Sequence, residues 1–262
     1  MTCRVQATHT EPINFREFTI TRFNLPFIML NPSSKNDREH GILIFYGGTM
    51  AAGFRNIVCS SLGYVLAQAG FTVYCFDFRS NIWGKDYADF GLHDRLEDAR
   101  EVFGWLKSKE LVPLSILGVS MGGPLAVTVA AENGTTVSNL FLVAPAAYHP
   151  DACRPDVKFG PALSEIIRRP DRWRESPAFK LAEMVTADTL IFGFRDEEVI
   201  PFGVIWRYFN GFKNHRMSGK PTRQKVEILP GGHRGSFSDK ERIELIASSV
   251  SKFVDLRSYR IM

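Results

Sequence analysis

The sequence predicts an α/β protein with a mostly parallel central sheet and helices on both faces. Three observations predict it. From residue 41 onward, short apolar runs rich in β-branched and aromatic residues alternate with stretches of helical periodicity. The runs lack the in–out alternation of a half-exposed strand, so they read as strands buried on both sides, the pattern of a parallel sheet. Regular strand–helix alternation then places helices over both faces.

Two apolar runs, residues 17–21 and 26–30, come first and fit an antiparallel hairpin on a sheet edge. Residues 41–46 (GILIFY) form the next strand and run into Gly47 and Gly48. A helix over 57–69 leads to a strand over 71–78 (FTVYCFDF). Residues 95–109 carry Leu96, Ala99, Val102, Phe103 and Leu106 at helical spacing. A strand over 114–119 (LSILGV) precedes a helix over 121–132 that is almost wholly small or apolar and therefore buried. Strands over 139–143, 189–194 and 225–229 follow. The last helix puts Ile243, Ile246, Ala247, Val250, Phe253 and Val254 on one face, with Ser238 and Glu241 spaced as a capping box. The proline-rich stretch 144–187 is longer than an ordinary connection and leaves the C-terminal end of a strand, where ligands bind in open α/β sheets. It reads as a small lid, and the whole chain, 1–262, as one domain.

Composition narrows the function. A chain of 262 residues, 45% hydrophobic and 23% charged, has a core of its own and is neither disordered nor a disulfide scaffold. Its net charge of +4 does not point to nucleic acid. None of the four cysteines forms a CxxC pair, and no HExxH occurs, so no metal and no cofactor is expected. Cys75 lies in an apolar run and reads as core. No run approaches ~18 apolar residues, so no transmembrane helix is expected. The opening MTCRVQATHTEPINF lacks a signal-peptide core, and the expected location is cytoplasmic.

The chemistry concentrates in Gly118-Val119-Ser120-Met121-Gly122, a G-x-S-x-G motif entered by a strand and left by an apolar helix. That context is what a nucleophile elbow requires. The helix N-terminus places backbone N–H groups and a positive dipole end beside Ser120. Here the sequence resembles the α/β-hydrolase superfamily, from Gly41 to near the end of the chain. The resemblance implies an acid after the strand two beyond the elbow strand and a histidine after the last strand. Asp196 in GFRDEEVIP and His233 in LPGGHRG match those loops, giving the order Ser120, Asp196, His233. Glu197 and Glu198 stand as fallback acids, with Glu197 one position off the pattern. The resemblance also implies an oxyanion hole from the Met121 N–H and a second N–H, from Gly48 or Thr49, between which the sequence does not choose. Asp77 and Arg79 read as a structural ion pair.

These residues imply acyl transfer. Ser120 attacks, His233 takes its proton and Asp196 holds the imidazole. The expected substrate is a small-molecule carboxylic ester or thioester. A peptidase or acyltransferase is the alternative within catalysis, and a non-catalytic ligand-binding protein on the same scaffold is the alternative outside it. Arg168, Arg169, Arg172 and Arg174 in the lid either steer an anionic acyl substrate or pair with neighbours such as Asp171 and Glu175. The basic run from Lys213 to Lys225 reads as a solvated loop away from Ser120.

Overall fold

Burial follows the apolar runs closely. In the computed structural model, residues 15–20, 23–32, 40–48, 59–82, 84–109, 114–214, 222–233 and 239–258 are described. Their strands are β1 (Phe15–Ile20), β2 (Leu25–Leu30), β3 (Gly41–Phe45), β4 (Thr72–Phe76), β5 (Leu114–Val119), β6 (Val137–Val143), β7 (Asp188–Phe194) and β8 (Gln224–Leu229). They form one sheet in the order β1-β2-β4-β3-β5-β6-β7-β8. β3 to β8 are parallel, and β1 and β2 add an antiparallel hairpin on the β4 side. Every residue of β3 and β5 is buried, because both lie inside the sheet with cover on both faces. β8, at the edge, is buried fully only at Leu229.

The helices are α1 (Tyr64–Gln68), α2 (Leu92–Ser108), α3 (Gly122–Asn133), α4 (Pro161–Arg168), α5 (Ala178–Ala182), α6 (Gly203–Lys213) and α7 (Lys240–Ser258). They fall into two groups by contact: α1 packs on α7, while α3 packs on α2 and α5, and α5 on α6. This is the two-faced cover the alternation predicts. A single turn of π-helix, Cys59–Gly63, runs into α1; the part of the expected helix at 57–58 lies outside the described residues, as does Ser238 of the expected capping box. α2 starts three residues earlier than the periodicity indicates, because the Asp94 carboxylate accepts the Gly91 N–H at 2.7 Å and fixes the first turn. α6 has no counterpart in the sequence reading. Gly203 and Gly211 lower its helix propensity, yet packing decides: Val204, Ile205, Tyr208 and Phe212 are all buried.

Between β6 and β7 the chain forms two short helices, α4 and α5, with 3-10 turns at Pro150–Cys153 and Arg172–Glu175. Leu163, Val157, Phe159 and Ala152 from this segment make a small apolar cluster with Leu92 and Met121. Met121 is the residue after Ser120, so the segment packs directly against the elbow. Cys75 is buried in the main core, as expected, and is a free thiol. Asp77 and Arg79 do not pair. Asp77 accepts the Tyr46 hydroxyl at 3.2 Å, and Arg79 holds Asp98 at 2.5 Å and Glu97 at 3.0 Å. Glu97 and Asp98 of α2 take Arg79, whereas Asp77, just past the end of β4, takes the Tyr46 hydroxyl. No described helix is long and apolar enough to cross a membrane.

Candidate active site

Ser120 stands where β5 ends and α3 begins, and its backbone is held in the left-handed region at φ 49°. A non-glycine residue there is strained unless its surroundings fix it. Here they do: the Ser120 N–H donates to Val143 O, and the Ser120 carbonyl accepts from Gly123 and Ala146, all at 2.9 Å. The turn leaves no room at position 122, where an added Cβ would lie 2.0 Å from the Phe45 carbonyl oxygen of β3. Glycine is therefore required two residues after Ser120.

The loops after β7 and β8 bring the other groups to it. Asp196 N–H bonds to Gly231 O at 3.0 Å, tying the two loops together. His233 then places Nε2 3.0 Å from Ser120 Oγ and Nδ1 3.1 Å from a carboxylate oxygen. That carboxylate belongs to Glu197, not to Asp196. Arg195 and Asp196 form the turn that leaves β7, which aims the Asp196 side chain outward into solvent. Glu197 comes one position later, turns inward, and has the extra methylene needed to reach the imidazole. Its side chain is only 4% exposed. Its second oxygen accepts the Val199 and Ile200 N–H groups, both at 2.9 Å, so the carboxylate is fixed from two sides. Glu198, the other fallback acid, accepts the backbone N–H of His233 at 2.8 Å and orients the loop.

Electrostatics agree with an ionised Glu197. Burial pushes its pKa up, but the hydrogen bonds from His233, Ile200 and Val199 outweigh burial and hold it below the ordinary carboxylate range. With Nδ1–H donated to Glu197, Nε2 is left to accept from the Ser120 hydroxyl.

Of the expected oxyanion donors, Met121 is the residue before the first turn of α3, at the positive end of that helix. Gly47 presses against it: a Cβ on Gly47 would lie 2.7 Å from Ser120 Cβ and 2.8 Å from Met121 N. Gly48 follows, half-buried, at φ 84°. Thr49 lies outside the described residues.

The remaining candidates resolve into neighbours of one another. His149 is nearly buried inside the 144–187 segment; its Nδ1 accepts from Asp151 N and Arg172, and its Nε2 faces Glu175 at 3.1 Å. An Asp151 carboxylate oxygen also lies 3.2 Å from Nδ1. Arg169, Arg172 and Arg174 pair with Glu165, Asp151 and Asp171. Arg168 is exposed. Of the basic run, residues 215–221 lie outside the described residues, and Lys225 pairs with Glu227 at 2.7 Å. A second serine–histidine contact, His40 to Ser115 at 2.6 Å, lies at the opposite end of the sheet, where Ser115 and Asn139 are fully buried. Among the described residues, no group of His, Cys, Asp and Glu is placed to hold a metal ion.

A family model described as alpha/beta hydrolase fold matches residues 42–240. No curated protein matches the chain. Solved structures do. Est1E from Butyrivibrio proteoclasticus is 18% identical, with a TM-score of 0.61, covering 91% of this chain and 97% of its own. The Pyrococcus furiosus esterase Pf2001 is 15% identical, with a TM-score of 0.63 and 97% of both chains covered. The Pyrococcus horikoshii acylaminoacyl peptidase is 14% identical, with a TM-score of 0.66, covering 93% of this chain and 41% of its own. The matched residues include both the elbow at Ser120 and the loop carrying His233, and with the sheet order and the match over most of the sequence they establish that this chain belongs to the alpha/beta hydrolase family.

Proposed function

We propose that the protein is a serine hydrolase that cleaves a small-molecule carboxylic ester or thioester. The observation that carries this reading is the relay Ser120 Oγ–His233 Nε2–Glu197, with both contacts at hydrogen-bond length. A serine hydroxyl is a weak nucleophile at neutral pH, so the imidazole must remove its proton as the oxygen attacks the acyl carbon. Glu197 keeps Nε2 in the accepting form and stabilises the imidazolium. Negative charge on the carbonyl oxygen would fall to the Met121 N–H, at the start of α3, and to a second N–H, from Gly48 or Thr49, in the loop after β3. His233 then returns the proton to the leaving group, and the acyl group stays on Ser120. Water activated by the same imidazole releases the acid and restores the serine. The 144–187 segment would act as a lid, since it packs on Met121 beside the nucleophile.

The test is reaction with a fluorophosphonate, mapped by mass spectrometry, followed by a panel of esters, thioesters and amides. Hydroxycinnamate esters belong in the panel because Est1E has been captured with ferulic acid. The expected result is an adduct on Ser120, absent in Ser120→Ala, and turnover of esters above amides. A folded wild type that forms no adduct contradicts the reading. Faster amide than ester cleavage would shift it to a peptidase.

A further inference from the structure

Arg95 leaves the first turn of α2 and enters the interior, where its side chain is fully buried. A guanidinium stays protonated throughout the pH range of folding, so the fold keeps a positive charge there. Its partners are all neutral. Nε donates to Ser80 Oγ at 3.1 Å, one terminal nitrogen to Asn81 Oδ1 at 2.9 Å and the other to Met121 Sδ at 3.1 Å. Phe78 and Phe159 flank it, their ring centroids 4.9 and 4.8 Å from Cζ. Asp98, one turn along α2, is engaged by the backbone N–H and Nε of Arg79. Three tyrosines also feel the charge, Tyr46 after β3, Tyr87 before α2 and Tyr148 in the 144–187 segment, as does the Asp98 carboxylate from a distance. Burial raises the pKa of all three, so they remain neutral hydroxyls. Among the described residues no carboxylate forms an ion pair with Arg95.

A buried cation without a counter-ion is costly, and an apolar side chain would fill the same space more cheaply. The charge is kept at one particular place: against the side chain of Met121, whose N–H faces the carbonyl oxygen in the proposed reaction. We infer that Arg95 is a positioning residue of the Ser120 site, gripping Met121 and holding a positive charge, with no carboxylate in contact with it, behind the N–H where negative charge develops. The inference rests on the hydrolase reading. A charge in a dry interior acts over longer distances than one in water. It favours the oxyanion, an effect that raises kcat rather than tightens substrate binding.

Asn81→Asp tests this with little change of shape. It puts a carboxylate 2.9 Å from the guanidinium and cancels the charge while satisfying it. On a neutral p-nitrophenyl ester, kcat is expected to fall about tenfold, with KM changed less than about twofold. Tm should not drop. A folded Asn81→Asp protein with wild-type kcat overturns the inference and leaves Arg95 a packing residue. If Asn81→Asp does not fold, Arg95→Lys and Arg95→Met put the same question: the lysine variant should keep at least about fivefold more kcat, and equal kcat in the two would overturn the proposal. Failure of wild-type Ser120 to react with a fluorophosphonate would overturn the hydrolase reading itself. Labelling of the wild type with no effect of Asn81→Asp overturns only the role of Arg95.

Discussion

Gly47 shows how little space the Ser120 site allows. A methyl group there would meet Ser120 Cβ and Met121 N at 2.7 and 2.8 Å, both on the backbone framework of the elbow. Gly47→Ala should therefore displace the nucleophile or the oxyanion donor, costing about 100-fold in kcat with a smaller change in KM. Steady-state kinetics on a soluble ester checks this, and wild-type kcat in the variant would show that the loop yields. At the same scale, the motifs point to Ser120, Met121 and His233, because the elbow needs a strand, a tight turn and a helix and the histidine follows the last strand, and the fold brings His233 within 3.0 Å of Ser120. The acid could not be fixed in the same way. Asp196, Glu197 and Glu198 are consecutive, and which one turns inward depends on the Arg195–Asp196 turn and on the Asp196 N–H bond to Gly231. One signal was available: an acid two and three residues ahead of Val199 and Ile200 can accept their N–H groups, as Glu197 does.

At the scale of elements, Asp94 links α2 to the 144–187 segment. Its carboxylate accepts the Gly91 N–H at 2.7 Å and holds Lys158 at 2.8 Å. Burial raises its pKa, but Lys158 and the Gly91 N–H prevail and keep it below the ordinary value. A depressed folded-state pKa means stability that is present above the unfolded value, about 3.9, and is lost as pH falls through the folded one. Asp94→Asn should lower Tm at pH 7 by about 2–4 °C, the equivalent of about 1 kcal/mol for a cap. The difference should shrink below about pH 4, as thermal melts across pH would show; a gap that persists there would mean that shape, not charge, holds the turn. The β-strands were legible to within two residues at most ends because fully buried strands are continuous apolar runs. α6 was not, since its two glycines and mixed outer face hide a helix whose inner face, Val204, Ile205, Tyr208 and Phe212, is set by packing.

Across the whole molecule, the sheet order puts β5 between β3 and β6, so the elbow, the Gly47–Gly48 turn and the Ala144 bend meet at one end of neighbouring strands. β7 and β8 continue the sheet and deliver Glu197 and His233 to the same end. Sequence order alone predicted that convergence; the identity of the acid and the buried cation at Arg95 came from three-dimensional packing, which brings residues 14 and 26 positions from Arg95 onto its guanidinium. The proposed relay places Glu197 behind His233 and Ser120, and the rate at which a fluorophosphonate modifies Ser120 in the wild type, Glu197→Gln and Asp196→Asn tests it. The expected rate is reduced by about 10³–10⁴ in Glu197→Gln and lies within about threefold of wild type in Asp196→Asn, whose side chain is exposed. A large loss in Asp196→Asn with near-normal labelling in Glu197→Gln would contradict it.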